Sequence, residues 1–349
     1  MPTSLSPSAT RRTSAEALGV TRPAPTSAVE TATPNEAPLA ASFTLDENDA
    51  ILKRTRELIE DGFAGVILSG PPGTSKSWYA RRLAFSLADN EADRVRFVQF
   101  HPSYQYEDFI ESYEPTDSGG FRPKARTFLT LCEQATVAPQ SMYVLVIDEL
   151  SRCDAVRVFG EALTYLEKSQ RNVEFELASG RRVQIPSNLF IVATMNPWDR
   201  GVDELDMAFE RRFAKISMDP DVGVLEAMLR TNGLPELQVQ RVLAFFRRVQ
   251  QHRNQFARIG HAYFSRVGST AALKRLWEYQ LRFHFEKAFR QNQQEFSDIS
   301  SAWERIFKEA AVGDAAAKEG GVAQPAQPGE QGIEIAPQPV ASDGAVAPQ

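Results

Sequence analysis

The sequence has few cysteines, no long apolar run and almost no aromatic residues at its ends, and these shortages exclude several classes of protein. Only Cys132 and Cys153 occur among 349 residues, and their spacing fits neither a metal site nor a redox motif. No apolar run reaches the roughly 18 residues of a membrane-spanning helix, and the N-terminus lacks the apolar core of a secretory signal. We therefore expect a reduced, cytoplasmic protein without a membrane segment.

Both ends of the chain are rich in proline, alanine, serine and glutamine. Residues 1–42 and 313–349 together hold 11 of the 21 prolines. Such segments cannot bury enough apolar surface to offset the entropy lost on ordering. We predict disordered tails over 1–42 and 311–349, an α/β nucleotide-binding domain over 43–220 and a helical domain over 221–310.

Short apolar runs alternate with helical patterns in the first of these domains. The runs include AGVILSG, MYVLVIDEL and NLFIVATMN. Apolar strands separated by helices imply a parallel sheet covered on both faces. We expect a β-hairpin around Ser179 and Gly180, irregular backbone between residues 101 and 124, and a helix over about 154–168. From about Asp221 only helical patterns remain, which predicts an all-helical second domain.

The stretch SGPPGTSKSW, residues 69–78, follows the phosphate-loop pattern G-x-x-x-x-G-K-[ST], except that Ser75 replaces the second glycine. In such loops backbone N–H groups bind the β- and γ-phosphates, and the next helix directs its positive N-terminus at them. Lys76 is expected to reach the phosphate oxygens, and Ser77 to hold Mg²⁺. Because most donors are backbone groups, we expect position 75 to need a small residue rather than glycine itself, and serine meets this requirement if its dihedrals are helical. The candidate nucleotide-binding residues are Gly70, Pro71, Pro72, Gly73, Thr74, Ser75, Lys76, Ser77 and Trp78.

Polar residues also end two later strands. Asp148 and Glu149 close the run MYVLVIDEL, and Asn196 closes NLFIVATMN. In parallel sheets, ligands bind at the carboxyl ends of the strands. We predict that Asp148 binds Mg²⁺ through water, that Glu149 is the general base, and that Asn196 orients the attacking water.

Two arginines and a basic C-terminal segment suggest contacts with other molecules. Arg211 and Arg212 end a helix just before a strand, far along the chain from the loop. They either act in trans on a neighbouring subunit's nucleotide or complement the end of their helix. Residues 221–310 carry 14 Lys and Arg against 9 Asp and Glu, although the whole chain has a net charge of −6. This excess indicates either a solvated helical face or a surface for an acidic partner or DNA.

Five motifs in this order resemble those of AAA+ nucleoside triphosphatases, and more closely those of the McrB-type branch of modification-dependent restriction systems. They are GPPGTSKSWYARRLA, FVQFHPSYQYEDFIESYEP, IDELSRCDAVRVFGEAL, ATMNPWDRGVDELDMAFERRFA and IGHAYF. The resemblance implies a P-loop core with a helical lid and a homo-oligomeric ring, expected to be a hexamer, that uses Mg²⁺. It also implies GTP where most AAA+ relatives use ATP, so the nucleotide is ATP or GTP. The implied partner is an McrC-like nuclease in a restriction or antiviral defence system, with DNA contacted through the basic lid or the partner.

The same resemblance assigns sensor and coupling roles to Asn196, Asp199 and Arg200. The chain departs from the usual family residues at Ser151, Pro197, Trp198 and Gly201. The departures at Pro197, Trp198 and Gly201 leave the identity of the partner open. MoxR-type relatives carry alanine in place of the second loop glycine, which favours interpreting Ser75 as a tolerated substitution.

Three functions are compatible with these residues. The first is a ring-forming triphosphatase that serves as the motor or regulatory subunit of a nuclease partner, and the FHPSYQYEDFIESY signature favours it. The second is a MoxR-type ATPase that remodels or matures a client protein. The third is a nucleotide-gated scaffold with little hydrolysis, in which Ser75 is the defect. Restriction relatives usually carry a DNA-reading domain before the motor, which residues 1–42 cannot form, so we expect target recognition in another subunit.

Overall fold

The computed structural model describes residues 43–117, 119–197 and 206–308. The chain divides into two compact units between Asp219 and Pro220. Both predicted tails lie outside the described residues, as do residues 198–205 of the predicted sensor segment. Trp198, Asp199, Arg200 and Gly201 are among them.

A parallel sheet forms the centre of the first unit. The strands among its described residues are β1 (Gly65–Ser69), β2 (Val95–Gln99), β3 (Glu111–Pro115), β4 (Phe121–Ala125), β5 (Tyr143–Asp148), β6 (Phe175–Glu176), β7 (Arg182–Val183), β8 (Leu189–Met195) and β9 (Phe213–Ser217). Five of them pair in the order β2–β5–β8–β1–β9, and every pairing is parallel. The other four form two antiparallel hairpins, β3–β4 and β6–β7. The predicted α/β class is thus confirmed.

Helices accompany this sheet and make up the second unit. In the first unit they are α1 (Ala50–Asp61), α2 (Lys76–Leu87), α3 (Tyr106–Phe109), α4 (Thr127–Val137), α5 (Ala155–Phe159) and α6 (Met207–Glu210). In the second they are α7 (Val222–Thr231), α8 (Glu236–Gln250), α9 (Thr270–Leu276), α10 (Arg282–Ala288) and α11 (Gln293–Glu304), with a π-helical turn at Trp277–Leu281. None of the helices in the described part of the chain is long and apolar enough to cross a membrane.

The central strands are buried on both faces, which explains their continuous apolar sequence. All seven residues of β8 are buried. Val66 and Leu68 of β1 pack into one apolar cluster with α2, whereas Ile67 packs into a second cluster with α4 and α5. In strand β2, at one edge of the sheet, only Val95 is buried, and the other four residues are partly or fully exposed.

Two segments differ from the sequence-based expectations. The stretch predicted to be irregular contains α3 and the β3–β4 hairpin. Pro115 and Pro123 lie within those strands, and proline weakens any strand pattern because it cannot donate to the ladder. The helix expected over 154–168 ends at Phe159 and continues as a 3₁₀ helix, Gly160–Leu166. Gly160 has φ 51°, and a Cβ there would lie 2.8 Å from the Tyr106 ring, so the chain turns where only glycine fits.

The second unit contains helices but no strand among its described residues. Its core holds an aromatic cluster in which Trp303 stacks on Trp277 and meets Phe245 edge-on. His261, in the IGHAYF motif, is buried, and its Nδ1 accepts a hydrogen bond of 3.3 Å from the Asp221 backbone N–H. Because the N–H belongs to the N-cap of α7, this bond joins the motif to the first helix of the unit.

Candidate functional site

The candidate nucleotide loop connects β1 to α2 at the carboxyl edge of the sheet. The Gly70 N–H donates to the Met195 carbonyl at the end of β8 (3.3 Å), and the Met218 N–H donates to the Ser69 carbonyl (2.7 Å). A Cβ on Gly70 would lie 2.2 Å from the Met218 carbonyl oxygen. The first glycine of the motif is therefore required because the loop passes directly against neighbouring backbone.

Ser75 adopts a left-handed backbone conformation, with φ 64° and ψ 22°, immediately before α2. The condition of helical dihedrals at Ser75 is therefore not met. Gly73, two residues earlier in the loop, is also left-handed, with φ 79°. Left-handed backbone costs a non-glycine residue about 1–2 kcal/mol. Position 75 thus favours glycine, and serine occupies it under strain.

The polar side chains of the loop donate hydrogen bonds either to carbonyls of the loop itself or to β5. The Lys76 ammonium donates to the Gly70 and Pro71 carbonyls, each at 2.8 Å. The buried Thr74 hydroxyl donates to the same Pro71 carbonyl (3.0 Å). Ser77 donates from its Oγ to Asp148 Oδ1 at 2.9 Å. This last bond brings together the two residues that the sequence predicts to hold the metal ion.

Thr194 holds the acidic end of β5, and sequence reasoning did not single it out. Its hydroxyl donates to Asp148 Oδ1 and accepts from the Glu149 N–H (3.1 Å). Asp148 therefore receives two hydroxyl donors, from Ser77 and Thr194. A signal was present in the sequence, because Thr194 is the only polar residue in the apolar strand LFIVATM.

Glu149 is the second strained residue of the site, with φ 59° and ψ 46°. Its Oε2 accepts a hydrogen bond from Arg152 Nε (3.2 Å), and its side chain is one-third exposed. The other described non-glycine residues with positive φ, apart from Ser75, are Asp89, Asn90 and Asn172. Asp and Asn tolerate this conformation well, so the two costly cases both belong to the candidate site. Backbone strain of this kind clusters at functional sites.

Asn196 directly follows β8, which lies between β5 and β1. Its side chain is buried. Because parallel strands end at one edge of the sheet, Asn196 lies at the same edge as Asp148 and the loop. Ser151, where the McrB family more often has asparagine, is also buried, in the 3₁₀ turn after β5.

Trp78 stands on the first turn of α2, beside the proposed metal ligand Ser77. Its indole ring is half exposed. The Arg82 guanidinium lies 4.4 Å from the ring centroid, and the Tyr79 ring meets the indole edge-on at 4.9 Å. An aromatic ring with a cation above it is thus present next to the phosphate-binding loop.

Arg211 and Arg212 lie at the amino ends of the parallel strands, whereas the loop lies at their carboxyl ends. Both come just before Phe213, which pairs with Gly65 at the start of β1, whereas the loop follows Ser69 at its end. Four strand steps of about 3.3 Å separate the two ends by roughly 13 Å. The structure therefore does not bring the arginines to the loop of their own chain.

Glu167 accepts a hydrogen bond from Arg211 and forms an ion pair with Arg212, and sequence reasoning missed it. Arg211 Nη2 lies 2.6 Å from Glu167 Oε1, and Arg212 Nη2 lies 3.0 Å from the same oxygen. The Arg211 side chain is 65% exposed, but that of Arg212 is only 5% exposed. Burial lowers the pKa of Arg212, and the nearby Glu167 carboxylate opposes this effect.

The donor set at the loop fits Mg²⁺. The ion prefers oxygen ligands and is usually held by one or two protein groups together with substrate phosphates and water. The Ser77 hydroxyl and the Asp148 carboxylate supply such oxygens side by side. A cage of three or more His, Cys, Asp or Glu residues does not occur in the described ranges. A metal ion bound here would rely on phosphate oxygens for much of its coordination.

Known proteins are similar to this chain in sequence. The family model of the AAA domain (dynein-related subfamily) matches residues 65–213. The EcoKMcrB subunit of a type IV methyl-directed restriction enzyme from Escherichia coli (strain K12) is 40% identical over 162 residues, which cover 44% of this chain and 35% of the relative. Component YdiS of the type II restriction enzyme BsuMI from Bacillus subtilis (strain 168) is 28% identical over 188 residues, which cover 42% of this chain and 55% of the relative.

This chain therefore spans about a third and about half of the lengths of these two relatives. A solved structure of a provisionally assigned ATPase from Cytophaga hutchinsonii matches 76% of this chain and 77% of its own, with a TM-score of 0.35 and 15% identity, a likeness too low to add to the fold described above. The family match and the restriction-system relatives agree with the parallel sheet and with the resemblance expected from the motifs. Residues 65–213 match the AAA domain of the dynein-related subfamily, and the chain is similar over less than half its length to the EcoKMcrB subunit and to component YdiS.

Proposed function

We propose that this protein is a Mg²⁺-dependent AAA+ triphosphatase that hydrolyses ATP or GTP and acts as the motor or regulatory subunit of a partner protein. One observation carries this proposal: the 2.9 Å hydrogen bond between Ser77 Oγ and Asp148 Oδ1. These residues come from two motifs 71 positions apart, and both are metal-ligand candidates. Their convergence supports a shared metal and phosphate site rather than two unrelated polar loops.

Each residue of the site has a separate task in this proposal. The loop from Gly70 to Trp78 would hold the phosphates by backbone N–H groups, and Lys76 would place its ammonium on the β- and γ-phosphate oxygens. Bound Mg²⁺ would neutralise charge on those oxygens and would be held by Ser77 and Asp148. Glu149 would accept the proton of the attacking water, and Asn196 would orient that water. The strained backbone of Glu149 supports a functional rather than a structural role.

The arginines support action between subunits. A roughly 13 Å span of β1 separates Arg211 and Arg212 from their own loop. An arginine contributes to phosphoryl transfer only if it contacts the transferred phosphoryl group. Arg211 and Arg212 would therefore serve the nucleotide of a neighbouring copy in a homo-oligomeric ring, proposed to be a hexamer. Arg200 and Asp199, outside the described residues, are proposed to couple catalysis to the partner.

The restriction relatives support a place in a restriction or antiviral defence system. Both similar proteins are named as parts of restriction enzymes. We accordingly propose an McrC-like nuclease as the partner, in the cytoplasm. DNA would be bound by the partner or by the basic second unit. Residues 221–310 of that unit contain 14 Lys and Arg but only 9 Asp and Glu.

The left-handed backbone of Ser75 favours a second candidate, a nucleotide-gated scaffold that binds but hardly hydrolyses. Strain in the loop could misplace the N–H donors that the phosphates need. Lys76, Asp148 and Glu149 argue against this alternative because a scaffold has no need of the complete set. A MoxR-type maturation ATPase would share the whole site and differ in its partner.

Hydrolysis of ATP and of GTP should be measured with and without the product of the neighbouring reading frame. We expect turnover of at least one nucleotide, loss of binding in Lys76→Ala, and tight binding without turnover in Glu149→Gln. Glu176→Gln, which alters an exposed carboxylate on β6, is the matched control and should behave as wild type. A Glu149→Gln variant that hydrolyses at the wild-type rate would exclude Glu149 as the base, and binding without turnover in the wild type would favour the scaffold. A nuclease-like neighbour that stimulates turnover would separate restriction from maturation.

A further inference from the structure

Glu167 lies in a surface pocket of about 350 Å³ within the first unit. The pocket is lined by residues 61–64, residues 166–168, Arg211 and Arg212. Lys168 adds a third cation to this lining, and its Nζ donates to the Glu60 carbonyl (3.1 Å). The lining thus carries three cationic side chains and two carboxylates, Asp61 and Glu167, and the Glu167 carboxylate pairs with both arginines.

The two arginines contact the same oxygen of that carboxylate but differ in solvent exposure. Arg212 is buried, and its carbonyl accepts from the Ala64 N–H (2.9 Å), which ties it to the backbone leading into β1. Arg211 is 65% exposed and extends into solvent from the same Glu167 Oε1. The buried Arg212 therefore holds the Glu167 carboxylate in place, and that carboxylate in turn holds the exposed Arg211 side chain.

A guanidinium can serve two anions at once. It carries five N–H donors in a rigid planar fork. The contact with Glu167 uses Nη2 of Arg211, which leaves donors on the other nitrogens for phosphate oxygens. A carboxylate on one side of the fork restricts the rotamers of a long, exposed side chain and so sets the direction in which the remaining donors point.

We propose that Glu167 is a positioning residue that orients Arg211 toward the terminal phosphate of the nucleotide bound by a neighbouring copy. Arg212 acts through Glu167 as its buried anchor and does not contact the nucleotide. This inference rests on the proposed trans action of the arginines and assigns the contact to one of them. Loss of Glu167 should lower kcat and leave nucleotide binding by the variant's own loop unchanged, because the loop lies at the other edge of the sheet.

Mixed assemblies test this assignment. Glu167→Gln alone should lower kcat about tenfold or more with KM within about threefold of wild type, and Glu167→Asp should lower kcat less. Each chain of Glu167→Gln has an intact base but a misdirected Arg211, whereas Glu149→Gln has the reverse. Mixing the two inactive variants should therefore restore hydrolysis above that of either alone, and Arg211→Ala should be rescued by the same partner. Glu176→Gln, mixed in the same way with Glu149→Gln, sets the level expected from simple dilution.

Several results would overturn the inference. A Glu167→Gln variant with wild-type kcat would do so, as would a low kcat that mixing does not restore, because a defect in folding stays within its own chain. If Glu167→Gln fails to fold, Glu167→Asp carries the test, with the same requirement of a kcat defect that mixing repairs. Absence of hydrolysis in the wild type would instead count against the proposed function, so the two failures are distinguishable.

Discussion

Replacing Ser75 with glycine tests whether the substituted loop is strained or defective. Left-handed backbone costs serine about 1–2 kcal/mol, whereas glycine adds about 0.5–1 kcal/mol of entropy to the unfolded chain. Ser75→Gly should therefore stabilise the protein by about 0.5–1 kcal/mol, which corresponds to a rise in Tm of about 1–4 °C for a domain of this size. Because about 1 kcal/mol changes a rate roughly fivefold, turnover should change by less than about tenfold.

The measurement is thermal unfolding combined with hydrolysis at saturating nucleotide. Asn90→Gly is the matched control, since Asn90 has a similar φ of 61° on the exposed surface, and asparagine tolerates this conformation. It should raise Tm less than Ser75→Gly. A fall in Tm for Ser75→Gly would refute the strain argument. A rise in turnover of several orders of magnitude would show that serine disables the site, in agreement with the scaffold hypothesis.

Three further predictions concern other contacts. Thr194→Val should destabilise the protein by about 1.5–3 kcal/mol and weaken the Mg²⁺ dependence of hydrolysis, because the Asp148 carboxylate loses a donor; an unchanged Mg²⁺ titration would contradict this. Gly70→Ala should abolish nucleotide binding in a titration, since its Cβ would lie 2.2 Å from the Met218 carbonyl oxygen, and wild-type affinity would disprove the close approach. Burial lowers the pKa of His261 below its ordinary value of 6.5, so the unfolded chain takes up a proton first as pH falls. The contribution of neutral His261 to the free energy of unfolding should thus be complete above pH 6.5 and decline below it. His261→Asn should therefore flatten the dependence of Tm on pH between 8 and 5.5.

Motif spacing predicted the parts of the site that depend on chain order. The apolar runs that form β1, β5 and β8 predicted the parallel sheet. The residues that follow these runs predicted that the loop, Asp148 and Asn196 lie together at the carboxyl ends of the strands. The family match later agreed with that order. These features could be predicted because a buried parallel strand has an unambiguous composition and a fixed polarity.

Features that depend on contacts between distant residues could not be predicted in this way. The left-handed conformation of Ser75 follows from how the loop enters α2, and serine gives no sign of it. Glu167 resembles any exposed glutamate in sequence, and only the fold brings it to Arg211 and Arg212, more than 40 positions away. The β3–β4 hairpin escaped prediction because its two prolines conceal the strand pattern.

The placement of the loop and of the arginine pocket at opposite edges of one sheet limits how copies can associate. A contact that brings the pocket of one copy to the loop of the next is heterologous when each copy uses its loop on one neighbour and its pocket on another. Such contacts either close into a cyclic assembly or continue into an open helical filament. An open assembly then has one unused loop at one end and one unused pocket at the other, and an assembly short of one copy lacks a complete site at the break.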